Sequence, residues 1–174
     1  MLLLTRHLAR RRVTLGFVFA LGVLYFARPT PRSLALGAAV GLIGEAIRIW
    51  AAGHLEKSRE VTSSGPYRFT RHPLYLGSSI MALGVAVGCR SYVVAALVLL
   101  YMGATLAAAI RTEEAFLRER FGDAYDAYAD ARAPHVERAF SVERVWRNKE
   151  YRALVGLALF LGLLALKMVL APSN

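Results

Sequence analysis

The chain's chemistry-bearing residues fall in two places. The first is the stretch Gly65-Pro66-Tyr67-Arg68-Phe69-Thr70-Arg71-His72-Pro73-Leu74-Tyr75-Leu76-Gly77, at the head of an apolar run. The second is the pair Glu113-Glu114, at the far end of the next apolar run. Proline suits the first turn of a helix, because it wastes no amide hydrogen and its φ is preset. His72 is therefore expected near an N-cap, with Pro73, Leu74 and Tyr75 in the first turn. The free N–H groups and positive end of such a helix attract an anion, and Arg71 reinforces the effect. The carboxylate of an amino-acid moiety suits that site. An arginine beside an interfacial tyrosine is also routine at membrane edges, and this motif alone does not separate the two readings.

The acidic pair adds weight to a ligand. Two acids at the C-terminal end of an apolar helix oppose the helix dipole. Either the helix runs on into water, or the carboxylates meet a cation or a hydroxyl-rich group. A carboxylate can accept two hydrogen bonds from ribose hydroxyls or pair with an ammonium. If the two apolar runs form antiparallel neighbours, Arg71–Tyr75 and Glu113 return to one level, and a zwitterionic ligand could bridge them. S-adenosylmethionine, with its carboxylate, ammonium, ribose and sulfonium, fits. The single cysteine, Cys89, and four scattered histidines show no metal-ligand spacing, so no metal site is expected.

The elements that must position these residues read as membrane helices. Of the 174 residues, 56% are hydrophobic, yet the net charge is +10. The charges sit beside apolar runs, which points to a membrane rather than to nucleic acid. Five apolar segments are legible, at 13–27, 33–52, 74–89, 92–110 and 153–170. A span needs about 20 residues, so the first and third are short and must recruit their flanks. Arg90-Ser91 alone separates the third from the fourth, which predicts a tight helical hairpin. Phe26-Ala27-Arg28-Pro29 lacks a small-x-small cleavage pattern, so the first segment reads as an uncleaved span. The fold class expected is all-α: an integral membrane bundle of about five transmembrane helices in one domain over 1–174, with a helical hairpin, a cytoplasmic amphipathic segment, and cytoplasmic cofactor-site segments at 53–73 and 111–152.

Lysine and arginine set the orientation. Seventeen lie in the N-terminal stretch, the 53–73 loop and the 111–152 segment, against four in the opposing loops and tail. That asymmetry places the N-terminus and both polar motifs in the cytoplasm and the C-terminus outside. Richness in Ala, Arg, Leu and Val suggests a bacterial plasma membrane. Beyond Glu113-Glu114 the fourth helix is expected to continue to Gly122. Phe116, Leu117, Phe121, Tyr125 and Tyr128 recur at near-helical spacing, as in an amphipathic helix that packs on the bundle or on the bilayer. Glu45 and Arg48 stand one turn apart inside the second span, either pairing with each other or lining a cavity. Trp50 and Trp146 read as interfacial belt residues. The 148–152 stretch, just before the last span, reads as a second polar cluster near the site.

Several of these elements occur in the order seen in one family. Gly-Pro-Tyr-Arg, Arg-His-Pro-x-Tyr-x-Gly, the Glu-Glu pair and Phe121-Gly122-x-x-Tyr125-x-x-Tyr128 together resemble the isoprenylcysteine carboxyl methyltransferase and phospholipid methyltransferase superfamily. These are integral membrane enzymes that use S-adenosylmethionine. The resemblance covers mainly residues 61–128. It implies that Tyr67, His72, Pro73, Leu74 and Tyr75 line the cofactor pocket and that Glu113 contacts the cofactor, with Val61 and Thr62 lending backbone groups. Arg71 and Glu114 join them as cofactor-binding candidates by their charge. Where isoprenylcysteine methyltransferases carry a base one turn before the acidic pair, associated with the substrate carboxylate, this chain has Ala109. The resemblance therefore implies a methyltransferase acting on a lipophilic small molecule, a lipidated substrate or a membrane lipid, with O- or N-methylation open and no catalytic residue assigned. A nicotinamide-dependent membrane reductase of the sterol-reductase type and a non-enzymatic membrane scaffold are the alternatives.

Overall fold

A computed structural model describes residues 19–134 and 136–171 of the chain. Helix α1 is seen over residues 19–26. The remaining helices are α2 (Pro31–His54), α3 (Pro73–Cys89), α4 (Tyr92–Phe121), α5 (Asp123–Ala129), α6 (Val142–Arg147) and α7 (Tyr151–Leu170), with a 3-10 turn at Gly65–Arg68. The described residues contain no strand. Three helices, α2, α4 and α7, are long and apolar enough to cross a membrane, and α3 is a shorter apolar helix. The protein is an all-helical membrane bundle, as expected. Residues 13–18 of the first expected span, with the arginines before them, lie outside the described residues.

Local capping explains the boundaries. Thr30 and Ser33 form a reciprocal capping box ahead of α2, with Pro31 in the first turn. The helix therefore starts two residues before the apolar pattern does. Ser91 caps α4 through the Val94 amide, and Arg90, left-handed at φ 47, closes α3 and completes the hairpin. At 30 residues, α4 is roughly 45 Å long, against a hydrocarbon core of about 30 Å. Its last turns, with the acidic pair, project beyond that core until Gly122, φ 50, ends the helix.

Packing rests on the close approach of α2 and α3, which run antiparallel. Gly37, Gly41 and Gly44 meet Gly77, Gly84 and Gly88. A Cβ added at Gly37 would lie 2.6 Å from the Gly84 carbonyl oxygen, and one at Gly44 would lie 2.6 Å from that of Gly77. Glycine at these positions lets two backbones touch, the usual device of membrane helix pairs. Ser33 Oγ, donating to the Gly88 carbonyl at 3.1 Å, closes the far end of the pair. A core of Val23, Ala27, Cys89, Val94, Val98 and Leu164 joins α1, α3, α4 and α7 there. Lys167 Nζ reaches back to the Leu24 and Tyr25 carbonyls at 2.6 and 2.8 Å, satisfying the end of α1. Leu99, Leu100, Leu159 and Val169 are 65–73% exposed on α4 and α7, as lipid-facing positions must be.

Candidate functional site

The opposite end of the bundle holds a cavity of about 1050 Å³, at the upper end of the ~300–1,000 Å³ usual for ligand sites. Its walls come from four places. The start of α3 gives Arg71, His72, Pro73, Leu74 and Tyr75. The extended part of α4 gives Ala108, Ala109, Thr112, Glu113, Phe116 and Leu117. The loop after α2 contributes Leu55 to Thr62 except Arg59, and Tyr67, Tyr125 and Tyr128 complete the wall with Arg48.

The antiparallel α3–α4 hairpin brings the two sequence motifs together. His72 Nε2 lies 3.0 Å from Glu114 Oε1, although 42 residues separate them. Arg71 approaches the same oxygen at 3.4 Å, and Arg118, one turn along α4, stands 3.9 Å from Oε2. His72 occupies the N-cap of α3 but makes no side-chain cap bond. Its ring instead holds Glu114, leaving the first-turn N–H groups of Leu74 and Tyr75 without a capping side chain.

The two acids of the pair separate. Glu113 lines the cavity beside the Tyr75 hydroxyl, is exposed to it, and has no cation within 4 Å among the described residues. Glu114 is absent from the cavity wall, its carboxylate occupied by Arg71, His72 and Arg118. Seven of the eight residues singled out in the sequence thus line one cavity, and the eighth braces two of them from behind.

Three tyrosines close the inner side. The Tyr128 hydroxyl donates to the Tyr67 carbonyl at 2.8 Å, fastening α5 to the Gly65–Arg68 turn. Burial, with Glu113 nearby, pushes the Tyr67 phenol far above its ordinary value. Burial and Tyr125 push Tyr128 to about 12, and burial and Glu114 raise Tyr125. All three stay neutral at physiological pH. The Tyr125 hydroxyl is enclosed, with the Arg71 guanidinium as its polar neighbour and no hydrogen bond within 3.5 Å among the described residues. An enclosed hydroxyl on a cavity wall is a group that a polar ligand can satisfy.

The sequence places residues 53–73 among the cofactor-site segments but singles out only Val61 and Thr62 within the 55–62 loop. That loop is held from outside. Arg147 grips both oxygens of Glu56 at 2.7 and 2.8 Å, and Arg138 pairs with Glu60 at 2.5 Å. Asn148 donates to the Ala52 and Leu55 carbonyls at 2.9 and 3.0 Å, capping α2. The signal for these fastenings is the density of arginines in 132–152, which the sequence assigns to the site only as a segment and, at 148–152, as a polar cluster, without partners. Lys57 also lines the cavity, exposed and with no carboxylate within 4 Å among the described residues.

A small-residue helix pair beside a cavity lined by Arg71-His72-Pro73 and Glu113, with Glu114 bracing the first two, defines the class: the chain belongs to the phospholipid methyltransferase family, whose model matches residues 34–124. Among curated proteins it is similar to the cobalt-zinc-cadmium resistance protein CzcN of Cupriavidus metallidurans, 32% identical over 126 residues, covering 68% of this chain and 58% of that protein. The nickel-cobalt-cadmium resistance protein NccN of Alcaligenes xylosoxydans xylosoxydans is 32% identical over 96 residues, 54% of this chain and 43% of that one. The protein-S-isoprenylcysteine O-methyltransferase of Schizosaccharomyces pombe is 33% identical over 85 residues, 49% and 36% respectively. The chain thus spans about half the length of these relatives. No solved structure matches it.

Proposed function

We propose that this protein is a membrane methyltransferase that draws its methyl group from S-adenosylmethionine and delivers it to a lipophilic acceptor. The observation that carries the reading is the meeting of the Arg-His-Pro and Glu-Glu motifs on one cavity, with Glu113 unpaired and facing inward. Family membership and similarity to an isoprenylcysteine O-methyltransferase support it. The residues present fit the cofactor. Glu113 matches its ammonium or ribose hydroxyls, and the uncapped start of α3 with Arg71 matches its carboxylate. The enclosed Tyr125 hydroxyl offers one further polar contact.

S-adenosylmethionine supplies a methyl group on a sulfonium, ready for in-line displacement. The protein's part is to orient and to exclude water. Tyr67, Tyr75, Phe116 and Leu117 give aromatic and apolar walls, while Glu114 holds Arg71 and His72 in place. No side chain is assigned as a base, since a carboxylate acceptor needs none and an amine acceptor arrives unprotonated. The acceptor, a membrane lipid or a lipidated molecule, reaches the cavity from the bilayer. The N-terminus and cavity face the cytoplasm and the C-terminus lies outside, in keeping with the lysine and arginine asymmetry.

Two relatives bear metal-resistance names, but no group of three or more potential metal ligands occurs among the described residues, so that role is not carried over. A nicotinamide cofactor is disfavoured because Glu113 would face its phosphates. Calorimetry on detergent-solubilised protein tests the proposal: S-adenosylhomocysteine should bind and a nicotinamide dinucleotide should not. The reverse result would establish the reductase alternative.

A further inference from the structure

A buried polar cluster lies where α2, α3 and α7 meet. Arg48 Nε donates to Glu150 Oε1 at 2.5 Å, and Nη1 donates to the Leu74 carbonyl at 3.3 Å and to the Ser78 hydroxyl. Ser78 Oγ in turn donates to the Leu74 carbonyl at 2.8 Å. One guanidinium therefore ties the head of α7 to the first turn of α3, the turn whose Pro73, Leu74 and Tyr75 form the cavity wall. Glu150, at 5% exposure, does not line that cavity. Glu45 stands one turn before Arg48 on α2, at 1% exposure, and neither of its oxygens accepts a hydrogen bond among the described residues. Its Oε2 lies 3.9 Å from Arg48 Nε. One arginine thus has an engaged carboxylate and an idle one.

We propose that Arg48 is a positioning residue that couples α7 to the cavity wall, with Glu45 as its reserve partner. An unpaired charge in the interior is costly, so an arginine released by Glu150 turns to the nearest other carboxylate. That is Glu45, on its own helix. The turn keeps the charge paired but withdraws Nη1 from Leu74 and Ser78. The bundle survives, and the first turn of α3 loses its brace. The rigid guanidinium fork suits this task, because one group holds Glu150 and α3 at once and a lysine ammonium cannot reproduce that spread. Glu150 lies outside the family match of residues 34–124, so the coupling makes the last helix part of the site.

The inference rests on the methyltransferase reading only for its choice of ligand. Hydrogen exchange at residues 76–78, the first amides of α3 with a carbonyl partner, measured on the full-length protein without ligand, tests the brace by itself. Calorimetry with S-adenosylhomocysteine tests its consequence. Glu150→Gln should speed exchange there about tenfold and weaken binding about tenfold, the effect of one charged hydrogen bond. Arg48→Lys should do likewise with little change in melting temperature. If Arg48 serves only to balance charge, Arg48→Lys will keep wild-type exchange and affinity, and the proposal falls. Adding Glu45→Gln to Glu150→Gln should lower the melting temperature well beyond the sum of the two single changes; a merely additive effect removes Glu45 as the reserve partner. Failure of the wild type to bind S-adenosylhomocysteine overturns the methyltransferase reading, while the exchange result still decides on the brace.

Discussion

Neutralising each member of the acidic pair in turn should give opposite results. Glu113 is exposed to the cavity and has no ion pair among the described residues. Glu113→Gln therefore removes nothing that holds the fold, and the melting temperature should stay within about 1 °C. If its carboxylate receives the ammonium or the ribose, a charged hydrogen bond worth about 1.5–3 kcal/mol is lost, a fall in affinity of roughly 10- to 150-fold. Glu114→Gln touches two arginines and His72. Arg71 and Arg118 are 44% and 50% exposed, so solvent screens those pairs to a few tenths of a kcal/mol each. The His72 contact is 16% exposed and accounts for most of the loss, about 1 kcal/mol, because the amide oxygen still accepts from the ring. That should lower the melting temperature by about 2–4 °C and weaken binding only through a looser Arg71 and His72. The assays are thermal unfolding in detergent and calorimetry with S-adenosylhomocysteine. A folded Glu113→Gln protein with wild-type affinity would refute the role given to Glu113 and leave only a solvated helix end.

Further predictions concern the loop, the packing and the topology. Tyr75→Phe should weaken S-adenosylhomocysteine binding at unchanged stability, and Pro73→Ala should be mild, since a first helical turn tolerates most residues. His72→Ala should weaken binding and also cost about 1 kcal/mol of stability, because its ring holds Glu114 at 3.0 Å; equal ligand-induced thermal shifts in all three variants and wild type would remove this loop from the site. Gly84→Ala would set a Cβ 2.5 Å from the Gly41 amide nitrogen, so it should cost about 1–3 kcal/mol by overpacking, and an unchanged melting temperature would contradict the α2–α3 contact. Reporter fusions after Arg147 and after Asn174 should report opposite sides of the membrane, and finding both on one side would rule out α7 as a span.

Much of this molecule was legible before any coordinates. Its membrane character, the helical hairpin and the extension of α4 to Gly122 follow from local causes: apolar run length, the two-residue break at Arg90-Ser91, proline at 73 and glycine at 122. Those forces act within a few residues, so a linear reading captures them. The meeting of Arg-His-Pro with Glu-Glu also follows, because two antiparallel helices of known length return to one level. Rotation about each helix axis does not follow. Neighbouring residues on a helix point about 100° apart, so whether Glu113 or Glu114 faces the cavity depends on how α4 is turned against α3. The glycine-lined contact of α2 with α3 sets where α3 stands for α4 to pack on. Partner choice at long range was likewise hidden. In the sequence Arg48 has an obvious mate in Glu45, yet it takes Glu150, 102 residues away, because α7 packs its head against both helices and leaves Glu45 enclosed. Residues 55–62 showed no periodicity of their own, and they become a wall only because Arg138, Arg147 and Asn148 fasten them from the other end of the chain.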